Sequence, residues 1–163
     1  MQQVLTVEQG SQVTVPTMVF RGGEGLHFTF PHNDLLVVKM KVASAIVCQI
    51  LIDTGSSVDI IIGDCSKKLK YLRREIVPPI HPISGFGGQE VNPTGIICLP
   101  LHFGDKTKAR KLEVDFLVVD VPMAYNVILG RPTLHKVKAI IASYQSQLLY
   151  EADDGRVGKL QGD

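Results

Sequence analysis

Apolar residues in this chain come in short runs, broken by glycine, proline and small polar residues. "LLVVKMKV" (35–42) and "AIVCQILI" (45–52) are rich in β-branched side chains and separated only by "AS", a pattern that predicts a β-hairpin. "VDIII" (58–62) follows a glycine-containing bend as another strand, and "IICLPLHF", "KLEVDFLVV" and "NVIL" repeat the texture further on. "AIIASY" and "QLLYE" read as a final hairpin. Helical spacing occurs twice. "DCSKKLKYLRRE" sets Cys65, Leu69, Leu72 and Ile76 on one face, with Asp64 as the expected N-cap. "RPTLHKV" allows one short helix, because Pro132 suits a first turn. Residues 1–33 mix polar residues, glycine and proline and are expected to form a flexible leader. "VPPIHPISGFGGQEVNPTG" holds four prolines and four glycines and is expected to be a mobile excursion. Residues 152–163 are polar and expected to fray. The expectation is one mainly β domain over 34–151 with two short helices.

Composition narrows the function classes. At 163 residues with 45% hydrophobic content, one domain with a real core is expected. Lys plus Arg total 17 against 16 Asp plus Glu, a formal charge of +1, so no global pull toward nucleic acid or an anionic membrane follows. The basic cluster Lys67, Lys68, Lys70, Arg73 and Arg74 could touch acidic partners, but reads better as a solvated helix face. Cys48, Cys65 and Cys98 are widely spaced and contain no C-x-x-C pair, which suits thiols in a reducing compartment. No signal-peptide pattern stands at the N-terminus, and no apolar run reaches the roughly 18 residues of a membrane span. A cytoplasmic protein with no membrane partner is expected.

One stretch asks for chemistry. In "ILIDTGSSVDIII" (50–62) a carboxylate, Asp53, sits between two apolar runs. Such a group is costly unless paired, hydrogen-bonded or protonated. Gly55 lets the backbone fold tightly, and Thr54, Ser56 and Ser57 supply hydroxyls. An Asx-type turn capped by Asp53 would explain an isolated D-x-G. The continuous apolar flanks argue instead for a buried bend, since a surface hairpin would alternate. Buried carboxylates act as metal ligands or as acid–base pairs. The five histidines, His27, His32, His81, His102 and His135, are scattered without H-x-H or H-x-x-x-H, so no metal is expected. Neither Ser56 nor Ser57 has a local base, and G-x-S-x-G is absent. A carboxylate pair sharing one proton remains: two like charges about 3 Å apart cannot both ionise, so one serves as acid and the other as base.

"LIDTGSS" followed by "YNVILGRPTL", with a glycine-rich segment between, resembles the retropepsins, the retroviral-type aspartic proteases. The likeness is greatest to those of plant Ty3/gypsy LTR retrotransposons, and it covers roughly 31–150. It implies a closed, mostly antiparallel barrel-like half whose active site lies at a C2 dimer boundary. It also implies that Asp53 is the catalytic aspartate and that Thr54 grips the partner's loop. Gly55 would permit close approach, and Ser56 would hydrogen-bond the outer oxygen of Asp53 and favour its ionised form. Ser84, Gly85, Phe86, Gly87 and Gly88 fall where the family has its flap. Ile128, Leu129, Gly130 and Arg131 would thread behind the active-site loop, with Gly130 letting the backbones pass.

Pepsin-like enzymes carry two such motifs in one longer chain, whereas D-T-G occurs once here. The resemblance therefore implies a homodimer, a polypeptide substrate added as a β-strand and no cofactor. There are departures. Ser57 stands where many retroviral enzymes have an aspartate that pairs with the arginine of "GRD" or "GRN", and the motif here is "GRP". Arg131 then needs another partner, and Asp59 is the candidate. The flap segment has Phe86 but no tyrosine, and the helix from Asp64 lengthens the path to it. The expected function is aspartic endopeptidase activity on a retrotransposon polyprotein. The alternative is a catalytically inactive module that keeps the fold for dimerisation or peptide binding.

Overall fold

The computed structural model describes residues 35–69, 82–84 and 88–163. The expected leader, the residues from Lys70 on expected to continue the first helix with the rest of its basic cluster, and Gly85, Phe86 and Gly87 lie outside them.

The first hairpin forms as its pattern predicts. Strand β1 (Val37–Val42) turns at Ala43–Ser44 into β2 (Ala45–Ile52). Its register slips once, so that Cys48 and Gln49 together oppose Lys39, and Gln49 takes a left-handed φ of 57°. The bulge has a use. It frees the carbonyls of Cys48 and Gln49 to accept from the side chain and backbone N–H of Asn126 (both 2.9 Å), which aligns the later apolar run against β2.

After the bend come β3 (Ile60–Ile62) and α1 (Gly63–Lys68), then the short pair β4 (Ile83–Ser84) and β5 (Glu90–Val91). Strands β6 (Gly95–Phe103) and β7 (Arg110–Val119) make the longest ribbon, followed by β8 (Val127–Leu129) and α2 (Arg131–Lys136). Six strands close into a barrel in the order β1-β2-β8-β3-β7-β6. Pairing is antiparallel except at β2·β8 and β3·β7, and closure leaves the barrel without an edge. Strand β6 alternates strictly, with Ile97, Leu99, Leu101 and Phe103 inside. Strands β3 and β8 are apolar throughout because both of their faces are covered. Ile61, Val127 and Leu129 fill the barrel. Ile60 and Ile128 join Leu51 and Val119 in a second cluster on its outside, together with Ile83, Val91, Met123 and Tyr125.

Two expectations are corrected. Asp64 is not the N-cap of α1: Ile62 holds that position with no side-chain cap, and Asp64 lies in the first turn. The tail does not fray. Residues Val157–Gln161 form β11, which pairs with β10 (Gln147–Glu151), itself paired with β9 (Ile140–Ala142). Polarity misled here because β11 buries little besides Gly158, against which the ring of Tyr150 packs. The chain's last amide, of Asp163, donates to Val37 O at 2.8 Å. Among the described residues no helix is long and apolar enough to cross a membrane.

Candidate active site

Asp53 follows the last residue of β2. Its N–H donates to Leu129 O (2.9 Å), so the β2·β8 pairing carries straight into the bend. Ser56 N–H closes the turn on Asp53 O (3.2 Å), and Gly55 N–H donates to Asp53 Oδ1 (2.8 Å). The carboxylate is thereby oriented by its own loop. A Cβ at Gly55 would come within 3.1 Å of that same oxygen, tight enough to push the side chain off its donor.

The second motif holds the loop from behind. Arg131 N–H donates to Ser56 O (2.9 Å), and its Nη1 reaches the carbonyls of Thr54 (3.2 Å) and Gly55 (3.0 Å). Gly130 passes so close that a Cβ there would overlap Val58 O and lie 2.7 Å from Ser56 O. Only a residue without a side chain fits. Ile128 and Leu129 are buried on the two sides of β8, in the outer and inner clusters.

Arg131 does not take Asp59 as its partner. Asp59 is turned inward, only 4% exposed, and accepts from Gly130 N–H (2.7 Å) and from the hydroxyl of Thr133 (2.8 Å). Burial, the dominant influence, raises its pKa above the ordinary carboxylate range, while the Thr133 and Gly130 hydrogen bonds pull the other way. Asp59 is thus the staple between the acidic loop and the start of α2. Sequence singles out Asp59 only as a partner for Arg131, although "VDIII" places an acid against an apolar run just as "LIDTG" does and so signals a buried carboxylate.

The bend also differs from the buried one expected. In the single chain Thr54, Gly55 and Ser57 are exposed and Asp53 is half-buried; the buried acid of this segment is Asp59. Ser56 donates its hydroxyl to Val58 O (2.7 Å) and not to Asp53. Asp53 Oδ2 and the Thr54 hydroxyl have no hydrogen-bond partner among the described residues. Of the expected flap residues, Ser84 lies in β4 opposite Glu90, and Gly88 has a φ of 79° at the turn before β5. Ile83 and Val91, the other cross-strand pair of this hairpin, rest on the outer cluster with Leu51, Ile60 and Ile128. Among the described residues no three His, Cys, Asp or Glu side chains converge as a metal site would require.

No protein-family model matches the chain, and no curated protein sequence matches it. Solved structures do. The retroviral protease-like domain of Ddi1 from Leishmania major superposes with a TM-score of 0.58 at 16% identity, covering 79% of this chain and 94% of that one. EIAV protease in complex with the inhibitor HBY-793 gives a TM-score of 0.49 at 24% identity, covering 67% of this chain and 93% of that one. At 16% identity the likeness to the Ddi1 domain is one of architecture. A closed barrel, two short helices and a carboxylate loop held between two motifs give this chain the fold of a retroviral protease-like domain.

Proposed function

We propose that the chain is an aspartic endopeptidase that works as a homodimer. The observation that carries this is the state of Asp53. One carboxylate oxygen is fixed by Gly55 N–H, the other has no partner among the described residues, and the loop that presents them is clamped by Arg131 and β8. The other acid of the segment, Asp59, is engaged in the interior, so a second carboxylate has to come from another copy. An isologous contact supplies it, because a two-fold axis brings the same loop to itself. Exposure of Thr54, Gly55 and Ser57 in the lone chain supports the same reading.

In that dimer a water lies between the two Asp53 side chains. The ionised one takes a proton from the water as it attacks the peptide carbonyl, and the protonated one donates to the carbonyl oxygen. The β4–β5 hairpin closes over an extended substrate and excludes water. The outer apolar cluster beneath it favours apolar side chains near the scissile bond. No metal or organic cofactor takes part. The substrate we infer is the polyprotein of an LTR retrotransposon of the Ty3/gypsy kind, processed in the cytoplasm. The alternative, a dimerising module without activity, is favoured by one feature: the Ser56 hydroxyl is turned to Val58.

The test is cleavage of a long unstructured polypeptide by the full chain and by Asp53→Asn, between about pH 4 and pH 7, over a range of protein concentrations. Cleavage by the wild type alone, with activity per chain rising as mass in solution doubles, is expected. Equal cleavage by both proteins would remove the catalytic assignment.

A further inference from the structure

A second surface lies on the barrel wall, at the far end of β2 from the Asp53 loop and mostly on β1, β6 and β7. The register of β2, β1, β6 and β7 places Ile46, Lys41, His102 and Lys111 in one cross-strand row, since Lys41 pairs with both Ile46 and His102, and His102 with Lys111. Partners in register point to the same face. Lys41 and Lys111 are exposed and His102 half-exposed, so the row points outward. Adjacent strands lie about 4.8 Å apart. The three nitrogenous side chains are therefore packed as close neighbours with no acid between them. Lys39, on the same face of β1, and Lys106, from the loop after β6, extend the group around an open groove of about 670 Å³.

The surrounding acids do not neutralise it. Asp105, the carboxylate lining the groove, accepts from the N–H and hydroxyl of Thr107 (2.8 and 2.6 Å), which favour its ionised form, so it offsets one of the four lysines and leaves the excess positive. Asp163 reaches only Lys39 (3.8 Å), Glu113 faces Cys98 one step along the ribbon, and Asp153 pairs with Arg110. Among the described residues neither Lys41, Lys106 nor Lys111 has an ion-pair partner. The crowding is felt by His102, whose pKa is held below the ordinary imidazole value by burial first and then by Lys41 and Lys111, with Glu113 opposing. That shift favours the neutral imidazole, so the charge of the row is carried by Lys41 and Lys111 on either side of His102. A chain with a net charge of only +1 has concentrated them here.

The apolar side of the groove limits what would fit. Ile46, 65% exposed, ends the row, and Leu160 and Ala109 also line the wall. Phe103 is fully buried, so the groove exposes no phenyl or indole face, and the half-exposed imidazole of His102 is the one ring on which a base could stack, short of the successive aromatic platforms that single-stranded nucleic acid binding uses. We propose that this groove docks an acidic polypeptide segment, its carboxylates on Lys41, Lys106 and Lys111 and an apolar side chain against Ile46. The site is independent of the protease reading. Within that reading it would recruit acidic stretches of a substrate or partner apart from the cleavage site.

The test uses the full chain carrying Asp53→Asn, so that no probe is cut. The probe is a fluorescein-labelled peptide of about 14 residues rich in Glu with two Leu, and binding is read by anisotropy at about 20 mM and about 300 mM salt. Binding that weakens with salt is expected, with at least about tenfold lower affinity in Lys41→Glu/Lys111→Glu and a smaller loss in Ile46→Ser. The equal charge change Lys67→Glu/Lys68→Glu on α1 should leave binding unaltered. Lys41→Gln/Lys111→Gln, which removes charge without reversing it, should also weaken the peptide. No binding, equal losses in the β-barrel and α1 variants, or tighter binding of a single-stranded DNA of the same length would overturn the proposal.

Discussion

Replacing Asp59 tests how the two motifs hold one another. Its carboxylate accepts from Gly130 N–H at 2.7 Å and the Thr133 hydroxyl at 2.8 Å, in a site where Asp59 is 4% exposed and Thr133 fully buried. Alanine leaves two donors without an acceptor, and each buried unsatisfied group costs about 1–3 kcal/mol, so the loss should be about 2–6 kcal/mol. Asparagine keeps an acceptor for Gly130 and offers its amide to the threonine oxygen, so it should cost only about 1 kcal/mol. Urea unfolding at one fixed protein concentration measures both, since the proposed dimer would make stability depend on concentration. The pH dependence has a defined sign. Burial raises the folded pKa of Asp59 above the unfolded value of 3.8, so the native state keeps its proton longer as pH rises. That contribution is fully present below pH 3.8 and is lost as pH climbs through the folded pKa. The wild type minus Asp59→Asn difference should therefore be largest in acid and shrink on going toward neutrality. An alanine variant within about 0.5 kcal/mol of wild type, or a difference that grows with pH, would refute the staple.

Other outcomes follow from single contacts. Arg131→Met removes the donor to Thr54 O and Gly55 O, and hydrogen exchange at the amides of residues 54–57 should quicken while the β6–β7 amides stay protected. Gly158→Ala drives a methyl into the ring of Tyr150 and should cost about 1–3 kcal/mol in thermal or urea unfolding; an unchanged midpoint would show that β11 does not pack as described. Tyr150→Phe loses the bond to Lys108 O (2.8 Å) and should cost about 0.5–1.5 kcal/mol. Cys98 is pushed up to about 11, by desolvation first and then by Asp115 and Glu113, so iodoacetamide near pH 8 should leave it largely unmodified while the exposed Cys48 is alkylated. Replacing both acids by their amides should speed its labelling, and equal rates before and after would contradict the cause given.

Much of this arrangement is written along the chain. The β-branched runs, the "AS" turn, the D-T-G bend, Pro132 in the first turn of α2 and the later "VILG" are local signals, because strand propensity, turn chemistry and helix starts depend on neighbours in sequence. Asp53 is a candidate from sequence for the same reason: a carboxylate closing an apolar strand stands out without coordinates. What depended on partners far away in the chain was not. Asp59 and Asp53 carry the same local signature, and only the approach of Gly130 and Thr133 from the other motif turns one inward as a staple and leaves the other facing the open side. Arg131 clamps backbone carbonyls instead of a carboxylate because Asp59 already has two donors. Residues 157–161 look polar enough to fray, yet they form a strand because β10 offers an unpaired edge. The row of Ile46, Lys41, His102 and Lys111 exists only through the register of four strands. Sequence decided which segments become strands and which residue types can do chemistry; pairing across the barrel decided which charges are buried, which are exposed, and which stand side by side.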